Sequence, residues 1–243
     1  MTSPLRLLEL LTLLDVTRLQ DDDNQQGFHQ WLSTLPEKTA SVAAFCVYSE
    51  YLAETARFIH RHMPDVSLAT VVNFPDGTKP LPEVLIEIAD ALGKGANEID
   101  CVMPYQALLA GDEIAVSGFL AAVRKACPGA CLKIIIESGE LLSAQHIKKA
   151  TELVIASGAD FVKTSTGKVP VGVTLDAARI MLSSIAAADR PVGFKASGGV
   201  RTVAQALELV DLYESITGKS ATAAGMRIGA SVLLTELCTQ LMV

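Results

Sequence analysis

One recurrence constrains this chain more than any other feature. Short runs rich in Val, Ile and Leu are followed, again and again, by a turn signal and then a longer amphipathic stretch. A continuous aliphatic run suits a strand buried on both faces, and the amphipathic stretch behind it suits a helix that covers the sheet. The runs fall at LTLLD (11–15), VAAFCVY (42–48), LATVVNF (68–74), NEIDCVM (97–103), LKIIIE (132–137), ADFVKTS (159–165), PVGFKAS (191–197) and MRIGAS (226–231). Helices are expected from Ser49, from Leu81 and from Thr174, with Ser49 and Thr174 as N-caps. Strand ends return at intervals of roughly 30 residues without sequence identity between units, which marks a structural period. Eight βα units in about 250 residues are the content of a TIM (β/α)8 barrel. The expected fold is therefore α/β, and with no Pro/Gly/Ser-rich linker the expectation is one domain over residues 1–243. A doubly wound open sheet is the alternative. Its nucleotide-binding forms carry a glycine-rich loop after the first strand, and neither GxGxxG nor GxxxxGK[ST] occurs here.

Charge narrows the possible partners. A formal net charge of −7 argues against nucleic acid and against anionic lipid, both of which need a basic surface. The run LRLLELLTLLDV is interrupted by Arg6, Glu9 and Asp15, and no small-residue cleavage site follows it. No apolar run approaches the roughly 18 residues of a membrane span, so a cytosolic protein is expected. The five cysteines are odd in number and form no CxxC pair, which predicts reduced thiols. His60 and His62 flank Arg61 and would point in different directions on a helix. No metal site and no cofactor are expected.

A barrel places its active site at the C-terminal ends of its strands, so polar residues there are the candidates. Lys163 and Lys195 lie late in the sixth and seventh runs. Strand alternation puts Lys163 on one face with Phe161 and Ser165, and Lys195 on one face with Gly193 and Ser197. Two lysines at successive strand ends would converge on one mouth; the alternative is that both snorkel to solvent. Converging, each ammonium disfavours the charged form of the other, and partial desolvation adds to the effect. A free amine then adds to an aldehyde or ketone, loses water and gives a protonated imine, which acts as an electron sink. Asp100 stands among apolar residues, where a lone carboxylate is costly. It either passes protons through water beside a lysine or serves only as an ion-pair partner. Lys133 and Glu137 share a parity on the fifth run and are expected to orient the lysines. Anion binding is suggested by Gly167 and Lys168, by Ser197, Gly198 and Gly199, and by Gly229, Ala230 and Ser231. Glycines let backbone N–H groups approach a phosphate, and a helix starting near Ser231 would add its positive end. Cys46 is expected to line the same mouth as a neutral wall, and Cys101, of opposite parity to Asp100, to face the helices. Asp21 to Asp23 with Asn24 read as a solvated loop and cap, and Pro75, Asp76 and Gly77 as a turn.

The motifs EIDCVMPY, KIIIESGEL, FVKTSTGK and GFKASGGVR, in this order and spacing, resemble those of the deoxyribose-phosphate aldolase family of class I aldolases, and LLDVTRL, AAFCVY and TVVNFP resemble its early strands. The resemblance implies a TIM-barrel enzyme, with a homodimer as the family-level expectation, whose partners are a phosphosugar and an aldehyde: 2-deoxy-D-ribose 5-phosphate, D-glyceraldehyde 3-phosphate and acetaldehyde. It implies that Lys163 forms the Schiff base, that Asp100 and Lys195 relay protons and tune it, and that Cys46 is a wall thiol. It places the phosphate against Gly167, Lys168, Gly198, Gly199 and Ser231. Three positions depart from the pattern. Val232 follows Ser231 where some relatives carry a second serine, Ala196 and Ser197 stand where a proline usually follows the second lysine, and the sequence closes on LCTQLMV rather than on a polar tail with a final tyrosine. Tail-assisted protonation is therefore not expected. Two rivals stay open, a transaldolase-like or keto-acid Schiff-base lyase and a non-catalytic sugar-phosphate binding protein.

Overall fold

Each aliphatic run becomes a strand because both of its faces find cover, the helices on one side and the opposite barrel wall on the other. In the computed structural model, which describes residues 3–241, the strands are β1 (Leu14–Arg18), β2 (Ala44–Val47), β3 (Ser67–Val72), β4 (Glu98–Val102), β5 (Cys131–Ile135), β6 (Phe161–Lys163), β7 (Gly193–Ser197) and β8 (Met226–Ala230). They pair in parallel and in sequential order, and β8 pairs back on β1 through Leu14 with Ile228, Asp15 with Gly229 and Val16 with Ala230. That closure is the expected (β/α)8 barrel and rules out the open sheet. Among the described residues no helix is long and apolar enough to cross a membrane.

The first strand lies three residues later than its run suggests. Leu11 and Thr12 close the helix Pro4–Thr12, which starts at an N-cap, Ser3, whose hydroxyl accepts from Arg6 N at 3.3 Å. Leu7, Leu10 and Leu11 bury one helical face, so the leucine run carries a helix end and a strand start together. Thr174 caps the helix Leu175–Ala186 as expected, accepting from Ala177 N at 3.1 Å. Ser49 does not cap. It opens a single 3-10 turn, Ser49–Tyr51, ahead of the helix Leu52–His62, and its hydroxyl donates to Asp90 Oδ2 at 3.0 Å and accepts from Lys94 Nζ at 3.1 Å. The neighbouring helix has taken the side chain that would have capped this one.

The two faces of the wall differ in chemistry. Ile99, Cys101, Ile134, Val162, Phe194 and Ile228 enter the continuous hydrophobic core, and Cys101 lies there as its parity required. The intervening positions point into the barrel. At its floor Gly193 leaves room for Phe161, since a Cβ on Gly193 would stand 2.2 Å from that ring. The Arg227 guanidinium carbon covers the same ring at 5.6 Å from its centroid. Met242 and Val243, the end of the LCTQLMV run, lie outside the described residues.

Candidate active site

Strand parity delivers charged side chains to the barrel interior from most of its wall. Asp15 comes from β1, Glu98 and Asp100 from β4, Lys133 from β5, Lys163 from β6, Lys195 from β7 and Arg227 from β8, and all are buried. Register makes neighbours of Asp100 and Lys133, of Lys163 and Lys195, and of Lys195 and Arg227. The two lysines of the sequence reading therefore converge instead of snorkelling to solvent. Lys163 Nζ and Lys195 Nζ both donate to Asp100 Oδ2 at 2.7 Å, and Lys133 Nζ donates to Asp100 Oδ1 at 2.8 Å.

These contacts fix the direction in which each group titrates. Burial alone would push the Asp100 carboxyl up, but Lys133, Lys163 and Lys195 outweigh it and hold Asp100 well below the usual carboxylate range. Burial likewise disfavours a charged Lys133, yet Asp100, Glu98 and Asp15 more than compensate, and its ammonium is held well above the ordinary lysine value. Lys195 is raised in the same way by Asp100 and Asp15, the latter at 2.5 Å. Lys163 goes the other way. Burial depresses it, Asp100 offsets only part of that, and Lys195 depresses it further. One oxygen of Asp100, shared with Lys195, does not balance the cost of desolvating a whole ammonium.

Lys163 is also the one of these charged groups that lines a cavity of about 490 Å³ at the C-terminal end of the barrel. Gly167, Lys168, Gly198, Gly199 and Ser231 line the same cavity, so the candidate phosphate residues and the candidate nucleophile share one space. Asp100 and Lys195 lie beneath it. Cys46 lies fully buried in the barrel beside Ala69 and Val71, and its thiol is pushed up by burial and by Asp100. The loop glycines allow backbone to meet backbone. Gly198 has φ +83°, and a Cβ on Gly172 would stand 2.0 Å from the Gly198 carbonyl oxygen. The helix expected near Ser231 runs Leu233–Gln240.

Several polar side chains do other work than their sequence context suggests. Glu137 does not touch the lysines. It accepts from Thr166 Oγ1 at 2.5 Å and from Thr166 N, and so holds the loop that carries Gly167 and Lys168. Asp21 is not merely solvated, because it accepts from Lys168 Nζ at 2.7 Å and from the Tyr48 hydroxyl at 2.6 Å. Lys168 also donates to Leu19 O at 2.9 Å and lies 5.8 Å from the centroid of the Tyr48 ring. Asn24 is the expected cap, accepting from Gly27 N at 3.0 Å, while Asp23 pairs with Arg18 through two bonds. The Ser197 hydroxyl donates to Ser165 O at 2.5 Å and joins the ends of β6 and β7. Sequence reasoning passed over Asp15, Glu98 and Arg227. Each is a charged residue at an inward parity inside an aliphatic run, which is the signal that could have found them.

The sequence profile of the DeoC/LacD family aldolases matches residues 13–235. A deoxyribose-phosphate aldolase of Agrobacterium fabrum is 43% identical over 230 residues, covering 93% of this chain and 88% of that one. Among solved structures, QR15, an aldolase, superposes with a TM-score of 0.81 at 26% identity over 96% of this chain and 98% of its own. The tetrameric deoxyribose phosphate aldolase of Aeropyrum pernix shares the fold with a TM-score of 0.75 at 24% identity, covering 99% and 91% of the two chains.

Proposed function

The chain belongs to the DeoC/LacD family of aldolases, and we propose that it reversibly cleaves 2-deoxy-D-ribose 5-phosphate to D-glyceraldehyde 3-phosphate and acetaldehyde through a Schiff base on Lys163. The observation that carries this reading is the placement of Lys163, an under-compensated amine with a lowered pKa at the base of a cavity walled by glycine loops and Lys168. An amine that sheds its proton easily is the nucleophile a carbonyl needs.

In the proposed reaction the neutral amine of Lys163 adds to C1 of the open-chain aldehyde, and the carbinolamine loses water to give a protonated imine. A water held by Asp100 and the Lys195 ammonium takes the proton of the C3 hydroxyl and passes one to the Asp100 carboxylate. The C2–C3 bond breaks, its electron pair moves into the imine as an enamine, and C3 becomes the aldehyde of glyceraldehyde 3-phosphate. Protonation of the enamine at C2 and hydrolysis of the imine release acetaldehyde and restore Lys163. Backbone N–H groups near Gly167, Gly198, Gly199 and Ser231, with the ammonium of Lys168, supply the charge and donors that a phosphate requires. All five cysteines are unpaired, which suits a reducing compartment, and we place the enzyme in the cytosol.

Borohydride reduction in the presence of substrate, followed by peptide mass analysis, tests the assignment. The expected adduct sits on Lys163. An active enzyme whose Lys163 stays unmodified would refute it. Acetaldehyde release compared with turnover of dihydroxyacetone-bearing substrates separates this reaction from a transaldolase-like one, and phosphosugar binding without turnover would identify a sensor instead.

A further inference from the structure

Followed from atom to atom, the interior charges close on themselves. Arg227 Nη1 meets Asp15 Oδ1 at 2.7 Å, and the other oxygen of Asp15 meets Lys195 at 2.5 Å. Lys195 reaches Asp100 at 2.7 Å, and the far oxygen of Asp100 meets Lys133 at 2.8 Å. Lys133 meets Glu98 Oε2 at 2.5 Å, and Glu98 Oε1 returns to Arg227 Nη2 at 3.1 Å. Cation and carboxylate alternate around this ring, so the ring is neutral, and a 3.7 Å contact between Lys133 and Asp15 crosses it. Lys163 stands outside the ring, attached to Asp100 Oδ2 alone.

We infer that Glu98 and Arg227 are positioning residues that favour the neutral form of Lys163 by closing a neutral ring in which its one carboxylate contact, Asp100, is already shared by Lys133 and Lys195. The inference rests on the Schiff-base reading of Lys163. Neither residue lines the cavity, and neither contacts Lys163. Their action passes through Asp15 and Lys195 on one side and through Lys133 on the other, both paths ending on Asp100. The groups that face Lys163 are Asp100 from β4, Lys195 from β7, Cys46 from β2 and Glu137 from the loop after β5. Those that face the ring-closing pair are Asp15, Lys133 and the Cys131 thiol.

Charge counting gives the pair opposite predictions. Arg227→Gln removes a cation, so a ring carboxylate lacks its counter-charge and favours protonated Lys163. Glu98→Gln removes a carboxylate, adds to the uncompensated positive charge and favours neutral Lys163. A merely structural pair would cost stability in both variants and move the titration in neither.

The readout is the rate of reductive trapping of Lys163 by acetaldehyde with cyanoborohydride between about pH 5 and pH 9. No phosphate takes part, so the acid limb of the profile belongs to the protein. Relative to the unaltered protein, the limb should move up by about one pH unit in Arg227→Gln and down by a similar amount in Glu98→Gln, the order expected of a unit charge acting through a protein interior. It should return close to its original place in the double variant and stay in place in Arg227→Lys. Limbs that move in the same direction, or do not move, while the adduct stays on Lys163 would overturn the inference. Should Arg227→Gln fail to fold, Glu98→Gln and Arg227→Lys still decide it, because only the first of them is expected to shift. An adduct absent from Lys163 in the unaltered protein would refute the Schiff-base reading instead.

Discussion

Alternate residues of the same strand live in two different media. On β4, Ile99 and Cys101 enter the core under the helices, while Glu98 and Asp100 enter an ionic interior. The outer face is held by apolar area, where each fully buried aliphatic side chain contributes about 1.5–3 kcal/mol whatever its exact neighbour. The inner face depends on partners. A charge there is tolerated only when an opposite charge meets it with good geometry, and an uneven count leaves one group exposed to the full cost of desolvation. Stability in this barrel is therefore spread over the outer face, and reactivity is concentrated at the one inner position where compensation falls short.

The largest expected effect of disturbing that division is on chemistry. Lys163→Met should abolish imine trapping and lower turnover by about 10⁴-fold or more, as loss of a covalent nucleophile does. The same change should leave stability unaltered or improved in urea unfolding, because it removes the poorly compensated charge. Asp100→Ala should do the reverse to the fold. It leaves three ammonium groups without their shared partner, and the expected loss is about 3–5 kcal/mol in chemical unfolding. On the outer face, Ile134→Ala should cost about 2–4 kcal/mol by cavity formation while the folded fraction keeps its kcat. A stability loss of that size with a shifted pH profile would mean that the two faces are not separate. The smallest effect should be that of Lys168→Ala, a rise of about tenfold in KM for the phosphosugar with little change in kcat; equal affinity for phosphorylated and unphosphorylated sugar in the unaltered protein would remove that role.

The pH dependence of stability carries the same contrast. Asp15 and Asp100 have folded pKa values below the ordinary carboxylate range, so the stability they contribute is present above about pH 4 and is lost as pH falls through their lowered values. Lys163 has a folded pKa below the ordinary lysine value, so between that lowered value and about 10.4 the unfolded chain binds the extra proton and stability rises with pH. Lys163→Met should flatten this alkaline rise and leave the acid loss in place, which urea titrations across the pH range would register.

Much of the outer face was legible in the sequence because burial on both sides of a strand leaves an aliphatic run, and the period of such runs counts the strands. The late lysines and Asp100 were legible for the complementary reason, since charge inside such a run requires a partner. The partners themselves were not. Periodicity reports that Asp15, Glu98 and Arg227 turn inward, not which atoms they meet after eight strands close, and Asp15 was further hidden because its run begins inside the helix Pro4–Thr12. Ser49 was misread as a cap, and the pairing of the exposed Asp21 was missed, for the same reason. The residues that claim them, Asp90 and Lys168, are 41 and 147 positions away in the chain.

The claim on which the rest depends is that Lys163 is the amine without full compensation. Carbon-13 NMR titration of the lysine side chains, with the Lys163 resonance assigned through Lys163→Met, measures this directly. The account predicts that Lys163 loses its proton below the ordinary lysine value of about 10.4 while Lys133 and Lys195 keep theirs to higher pH. A Lys163 that titrates at or above that value, or a Lys195 that titrates before it, would contradict the account.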